Sequence, residues 1–292
     1  MIKILVPVNF SDYSLNALAF ALTLAEKFPA EISVLHCFTD YISLEESEQS
    51  PESEGYNATL SRHEIEQKDA ETQERLRQVI TSQVSHMSSL QEKNINLAYR
   101  FEYGYPEDVI PKISNQEIFD VVIMGTKTKG ETIKEALGSI TSDVIQRVTA
   151  PVVAVPAHST INLTKLGKVL FLLELNDRDY ISLHSLVRLI SPFHTEINAI
   201  LYCPTRADKN DIRKMDQLRT YCDSTYPHFN INFDIITGKN YIKSVEEYLA
   251  DNPSDLVAMT RRKRTILKKL FSPSVTRQLL FSTDIPLLVF HS

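Results

Sequence analysis

Short apolar runs alternate with longer amphipathic segments along the whole chain. Short, largely apolar runs rich in β-branched residues are typical of strands that are buried on both faces of a parallel sheet. Five such runs occur in the first half (ILVPV, ISVLHCF, INLAYRF, VVIM and VVAV) and five in the second (VLFLL, INAILY, INFDII, LVAM and LLVF). The sequence therefore predicts two successive groups of five strands.

The segments between the runs have helical periodicity. The first follows Ser11 and Asp12, whose side chains are suited to cap the free amides at a helix start. Strand and helix alternation through five strands implies right-handed crossovers and a doubly wound sheet. The predicted fold class is therefore α/β, with two tandem Rossmann-like domains, each a five-stranded parallel sheet with helices on both faces. One buried stripe of the first helix is formed by Leu15, Leu18, Leu22 and Ala25.

The two halves repeat each other. The segment from Phe119 aligns with the segment from Ser254 at a constant offset of 135, and KILVPV near the start of the chain aligns with KVLFLL at an offset of 165. Because the offset falls by 30 between these blocks, the first copy carries about 30 extra residues in its middle. Matched pairs at the offset of 135 include Asp120 with Asp255, Ser139 with Ser274 and Pro151 with Pro286.

The repeat suggests domain boundaries. We expect a first domain over 1–156, a polar linker over 157–166 and a second domain over 167–292. The extra residues of the first copy include a loop at about 40–60, which has six acidic residues and no Lys or Arg between Asp40 and Gly55. Such a composition buries little apolar surface and predicts a mobile loop, with a segment that docks a partner as the alternative.

Charge and cysteine usage narrow the function classes. The formal net charge is −6, divided into −10 over 1–156 and +4 over the remainder, and an acidic chain argues against general nucleic-acid binding. The three cysteines form no CxxC or metal-ligand spacing, which fits reduced thiols. No apolar run is long enough for a membrane helix, and the start lacks the features of a signal peptide. We expect a cytoplasmic protein that does not enter a membrane.

One segment after the fourth run is rich in glycine. Gly125, Gly130 and Gly138 fall within fourteen positions, although the whole chain has only seven glycines. The run itself is expected to end at Met124, and Ser139 is expected to open the next helix. Glycines let a backbone approach a phosphate closely, and a helix start offers free N–H groups and a favourable dipole.

These features resemble the universal stress protein family over nearly the whole chain, twice. The family has a loop of the form G-x-x-G-x9-G-[S/T] at a strand end, and a first strand that ends V-P-V-D, where this chain has V-P-V-N. The repeated last runs, Pro151-Val-Val-Ala-Val and Pro286-Leu-Leu-Val-Phe, also fit. The resemblance implies five-stranded parallel sheets, ATP binding in some members and none in others, and pairing through the last strand.

The resemblance also implies site residues. Gly125 and Gly138 match the outer glycines, and Ser139 matches the hydroxyl that follows. The middle glycine falls at Thr128, a departure for which Gly130 compensates in part, and the strand-one acid falls at Asn9. The implied nucleotide-contacting residues are Asn9, Cys37, Gly125, Thr126, Thr128, Gly130, Gly138 and Ser139.

The second copy has a degenerate loop. No glycine remains at its equivalent positions, where Thr260, Lys263, Pro273 and Ser274 stand. Its loop is instead basic over 261–269. This segment is a solvated charged face, a partner of the acidic loop in the first copy, or a site for an anion, a nucleic acid or an acidic partner. We therefore expect ATP, with Mg²⁺ only as its counterion, in the first domain alone.

Three hypotheses about function remain at this point. The first is a stress-response protein that binds ATP or another adenine nucleotide and acts through ligand-biased interactions with protein partners. The second is an interaction scaffold that needs no nucleotide, in which the loop is an inherited connection. The third is a slow ATPase, although the sequence has no nucleophile–base pair, no Walker loop and no GxSxG or HExxH motif. In each case the two domains are expected to pair within the chain, and further homodimerisation is possible.

Overall fold

The computed structural model describes residues 1–27, 29–39, 62–85, 95–126, 139–157, 159, 166–261 and 284–291. All ten apolar runs form strands, as predicted. The elements of the first half are β1 (Ile2–Pro7), α1 (Asp12–Ala25), β2 (Ala30–Phe38), α2 (Arg62–Ser85), β3 (Asn96–Tyr103), α3 (Pro106–Gln116), β4 (Val121–Thr126), α4 (Ser139–Arg147) and β5 (Val152–Pro156). Those of the second half are β6 (Lys168–Leu173), α5 (Asp177–Ile190), β7 (Glu196–Cys203), α6 (Lys209–Thr225), β8 (Asn230–Thr237), α7 (Tyr241–Asp251), β9 (Leu256–Arg261) and β10 (Leu287–His291).

One continuous sheet of ten strands runs through both halves. Its order is β3-β2-β1-β4-β5-β10-β9-β6-β7-β8. Strands are parallel within each half, and the two halves meet through the antiparallel pair β5 and β10. The predicted α/β fold is confirmed, and the last strand of each copy forms the junction. The exact domain boundaries stay a prediction.

A local twofold axis passes through the middle of this junction. Leu288 lies opposite Val153, its equivalent at the offset of 135. The neighbouring pairs, Leu287 with Ala154 and Val289 with Val152, exchange equivalent positions across the axis. The two copies are therefore related as the subunits of a symmetric dimer are, but within one chain.

The repeat extends to individual hydrogen bonds. Asp120 accepts from the backbone N–H of Lys3 at 2.9 Å, and Asp255 accepts from that of Lys168 at 2.9 Å. In both copies, a carboxylate before the fourth strand therefore holds the start of the first strand.

Successive side chains of each strand point to opposite faces of the sheet, so the core is divided into two parts. In β1, Ile4 and Val6 pack on the face covered by α1, α2, α5 and α6, whereas Leu5 packs on the face covered by α3, α4 and α7. Each face carries helices from both copies. This arrangement explains why the strands are apolar on both sides.

The extra length of the first copy is shared between a helix and its flanking segments. Helix α2 has 24 residues, whereas its counterpart α6 has 17. The predicted acidic loop at 40–60 lies outside the described residues. In the part of the chain that the structure describes, no helix is long and apolar enough to cross a membrane.

Candidate functional site

The turn between β1 and α1 forms one side of the candidate site. Ser11 is the N-cap of α1, and its side chain accepts from the backbone N–H of Ser14 at 3.3 Å, as the sequence predicted. Phe10 has a positive φ of 61°, and its repeat equivalent Leu175 has a φ of 55°. The residue at this position after the first strand therefore has a left-handed backbone conformation in both copies.

Asn9 is exposed at the end of β1, but the neighbouring turn fixes its side chain. The carboxamide oxygen accepts from the hydroxyl of Ser11 at 2.5 Å and from its backbone N–H at 3.2 Å. The carboxamide nitrogen donates to the hydroxyl of Tyr13 at 3.3 Å. Tyr13 was not among the predicted site residues, because Asn9 lies before the helix and no helical spacing links the two residues.

Gly125 lies within β4, so the expectation that the strand ends at Met124 was wrong. A Cβ at Gly125 would stand 2.2 Å from the carbonyl oxygen of Tyr13 and 2.7 Å from the backbone nitrogen of Ser14. The glycine therefore allows the start of α1 to lie directly against β4. This packing alone requires a glycine at position 125, and the predicted ligand contact of Gly125 stays a prediction.

Helix α4 begins beside the same strand end. Thr141, in the first turn of α4, donates its hydroxyl hydrogen to the carbonyl oxygen of Gly125 at 3.1 Å. This contact therefore places next to the end of β4 the first N–H groups of α4, which have no partner within the helix. Thr141 was not among the predicted site residues. The sequence feature that could have identified Thr141 is its position two residues after Ser139. From this position its hydroxyl contacts β4.

The other predicted residues have different surroundings. Thr126 is buried at the end of β4, and its carbonyl oxygen accepts from the backbone N–H of Ala157 at 3.1 Å. Cys37 lies near the end of β2 and packs on the opposite face from α1, among the core residues around α3 and α4. The Cys37 side chain therefore lies on the other face of the sheet from α1, whose first turn contacts Asn9. Thr128, Gly130, Gly138 and the side chain of Ser139 lie outside the described residues.

In the second copy, acidic side chains occupy the strand end that is equivalent to the candidate site. Glu174 stands where the first copy has Asn9, and the fully buried Asp179 stands where it has Ser14. Asp179 accepts from the backbone N–H groups of Glu174 at 3.0 Å and Asn176 at 3.3 Å. Thr260, the equivalent of Gly125, donates its hydroxyl hydrogen to Ser182 at 2.8 Å. Two acidic side chains at this strand end disfavour an anionic ligand there.

The surroundings of Cys37 predict a thiol of low reactivity. Burial, with the charges of Glu102 and Glu107 nearby, raises the pKa of Cys37 to about 12. Since only the thiolate reacts, alkylation at pH 8 should be about a thousandfold slower in the folded than in the unfolded protein. Time-resolved labelling with iodoacetamide, followed by mass spectrometry, measures both rates. A labelling rate close to that of the unfolded chain would contradict this prediction.

No metal-binding cluster occurs among the residues that the structure describes. In those ranges, no group of three or more His, Cys, Asp or Glu side chains is arranged to hold an ion. The donors that the described residues bring to the candidate site are backbone N–H groups, hydroxyls and the carboxamide of Asn9, which suit an anion better than a cation.

Comparison with known structures identifies the same architecture. A universal stress protein from Archaeoglobus fulgidus DSM 4304 matches with a TM-score of 0.73 and 17% identity, over 99% of this chain and 98% of that one. A putative universal stress protein from Pseudomonas aeruginosa UCBPP-PA14 matches with a TM-score of 0.58 and 14% identity, over 99% and 92%. The cytoplasmic domain of a prokaryotic cation chloride cotransporter matches with a TM-score of 0.57 and 12% identity, over 99% and 94%. At these identities the likeness is one of fold.

Comparison of sequences supplies the family. No curated protein matches the chain. The family described as the universal stress protein family matches residues 1–156, which is more than half of the chain. The chain therefore belongs to the universal stress protein family.

Proposed function

We propose that the first copy binds an adenine nucleotide, with ATP as the leading candidate, and places its phosphates at the start of α4. The observation that carries the proposal is the hydrogen bond of 3.1 Å between Thr141 and the carbonyl oxygen of Gly125. That bond fixes a helix N-terminus at the carboxyl end of β4. In doubly wound folds, ligands bind at this edge of the sheet.

The start of α4 has the chemistry that a phosphate needs. The helix has nine residues, so its dipole is developed, and the N–H groups of Ser139 and Ile140 are unused within it. The hydroxyl of Ser139 would add a further donor. Gly130 and Gly138, with Thr128, belong to the segment that would surround the phosphates, and Mg²⁺ would arrive with the nucleotide as its counterion.

Asn9 and the end of β2 would contact the rest of the ligand. Strands β1 and β4 are neighbours, so Asn9 lies beside the strand that ends at Thr126. Its carboxamide is neutral, so it would contribute hydrogen bonds rather than charge to a sugar or base. The backbone at Cys37 would provide the base contact, because its thiol is held on the other face of the sheet.

The biological output would be a change of interactions rather than a reaction. A bound nucleotide would order the loop before α4 and shift the population of a surface that protein partners recognise. The second copy would not bind nucleotide, because Asp179 and Glu174 occupy its equivalent strand end. We place this activity in a cytoplasmic stress response.

A nucleotide-independent scaffold is the second candidate. It is favoured by the side chain of Asn9, whose oxygen and nitrogen are already engaged by Ser11 and Tyr13. A ligand would have to share or replace these bonds.

Thermal unfolding with and without ATP–Mg²⁺ separates the two candidates. Ligand at about 100 times its dissociation constant should stabilise the protein by roughly 2.7 kcal/mol. Gly138→Val should abolish the shift, because a side chain there obstructs the approach of a phosphate to the helix start. Pro273→Val, at the equivalent position of the second copy, is the matched control and should keep the full shift.

The outcomes are distinct. A shift in the wild type that Gly138→Val removes supports nucleotide binding, as does an adenine nucleotide found by mass spectrometry of the purified protein. The absence of both a shift and a co-purified nucleotide would overturn the proposal in favour of the scaffold. A shift that persists in Gly138→Val would mean that the ligand binds elsewhere.

A further inference from the structure

The C-terminal end of α4 is held by the second copy. The last carbonyl groups of a helix have no partner within it. In α4, the carbonyl oxygen of Arg147 accepts from the side chain of Asn115 at 2.9 Å, within the first copy. The carbonyl oxygen of Ile145 instead meets Arg261 Nη1 at 3.0 Å and His291 Nε2 at 2.7 Å, both from the second copy.

Both donors come from the ends of paired strands. Arg261 is the last residue of β9 and His291 the last of β10, and they lie opposite each other in the sheet. Because β5 and β10 are antiparallel, this edge of the second copy faces the C-terminal end of α4. A carbonyl oxygen only accepts, so Nε2 of His291 carries the hydrogen.

The arrangement is suited to fix a helix. A cation near a helix C-terminus is stabilised by the helix dipole, and the effect is stronger where water is partly excluded. Burial lowers the pKa of Arg261, which is consistent with a guanidinium held partly away from water. The histidine adds a second donor to the same oxygen.

The first copy lacks equivalents of Arg261 and His291 in its sequence. At the offset of 135, the first copy has Thr126 in place of Arg261 and Pro156 in place of His291. Thr126 is buried and short, and the proline side chain has no donor. The second copy therefore holds a helix of the first, and the first copy has neither an arginine nor a histidine at the equivalent positions.

We infer that Arg261 and His291 are positioning residues for the candidate anion site of the first copy. They cap the far end of α4 and so set the position of its N-terminus against the end of β4. The inference rests on the proposed function for its link to nucleotide. The second copy then has a role that does not need a glycine loop, because its two side chains support the site in the first copy.

The contact of Arg261 and His291 with the carbonyl oxygen of Ile145 acts as a clamp on α4. Amide hydrogen exchange of the full-length, ligand-free protein tests this clamp directly. Arg261→Met keeps much of the side chain but removes the donors and the charge, and should raise exchange in the last turn of α4 by about tenfold. Arg261→Lys should restore part of the protection. The control is Arg219→Met, which removes an exposed cation on α6 that is paired with Asp216. Exchange in β1 and β7 is the internal reference, because global destabilisation would raise it as well.

Titration with ATP–Mg²⁺ then tests the link to the site. Arg261→Met and His291→Ala should each weaken ATP binding by about three- to tenfold, whereas His291→Gln, which retains an N–H donor, should weaken it less. Unchanged amide exchange in α4 of Arg261→Met would overturn the inference, whatever the affinity of this variant for ATP. Raised exchange with unchanged ATP affinity would overturn the link between the clamp and the site. A wild type that does not bind ATP would overturn the proposed function instead, and the exchange data alone would then decide the clamp.

Discussion

Leu288→Asp is expected to destabilise the protein by more than about 4 kcal/mol, which is enough to prevent the two halves from folding as one sheet. Leu288 is 0% exposed and lies opposite Val153, which is 1% exposed, at the local twofold axis of the junction. Both side chains belong to the core on the α1 side of the sheet. A carboxylate there would be removed from water among apolar side chains of this core, and such burial is costly.

The measurement is urea unfolding followed by far-ultraviolet circular dichroism, because the chain has no tryptophan. The matched control is the double variant Val153→Leu/Leu288→Val. It exchanges two repeat-equivalent residues across the axis and keeps their combined volume, so it should cost less than about 1.5 kcal/mol. A Leu288→Asp protein with one cooperative transition and near-wild-type stability would contradict the assignment of β5 and β10 as the central pair.

The sequence was sufficient to predict the ten strands and the doubly wound fold. Each run is short, apolar on both sides and bounded by a helical segment, and this combination occurs where a parallel sheet is covered on both faces. The N-cap at Ser11 was also predictable, because capping depends on residues close in the chain. Local signals of this kind need no knowledge of distant packing.

Contacts between distant elements were not predictable in the same way. The role of Gly125 depends on how closely α1 approaches β4, and the role of Asp179 depends on the amides that surround it. The contact of Arg261 with Ile145 further requires the antiparallel junction, which brings the end of β9 to a helix of the other copy. The repeat alignment could not supply this contact, because the contact breaks the repeat. The roles of Thr128, Gly130 and Gly138 stay predictions.

Gly125→Ala is expected to cost about 3 kcal/mol in the free energy of unfolding, although it adds one methyl group. The new Cβ would stand 2.2 Å from the carbonyl oxygen and 2.3 Å from the carbonyl carbon of Tyr13. These are backbone atoms in the first turn of α1, so relief requires movement of the helix start, with its cap at Ser11, or of β4. Urea unfolding measures the cost.

Gly238→Ala is the control that separates backbone crowding from side-chain crowding. A Cβ at Gly238 would stand 2.1 Å from Oγ of Ser244, which is a closer approach than at Gly125. Rotation of the Ser244 side chain relieves that contact, so the expected cost is below about 1 kcal/mol. Equal losses in the free energy of unfolding for the two variants would show that the start of α1 moves as easily as the Ser244 side chain rotates. That result would contradict the packing role of Gly125.

The same variant decides whether Gly125 also contacts a ligand. If packing is its role, Gly125→Ala loses stability with and without ATP–Mg²⁺, and the stabilisation by ligand persists in the fraction that folds. If Gly125 also contacts the ligand, as the resemblance to nucleotide-binding loops implies, Gly125→Ala loses the stability and also the ligand-induced shift in the fraction that folds. The 2.2 Å approach to Tyr13 explains the glycine without a ligand, so its presence alone gives no information about a phosphate. The nucleotide hypothesis therefore rests on the start of α4 and on Gly138, and not on Gly125 or on the number of glycines in the loop.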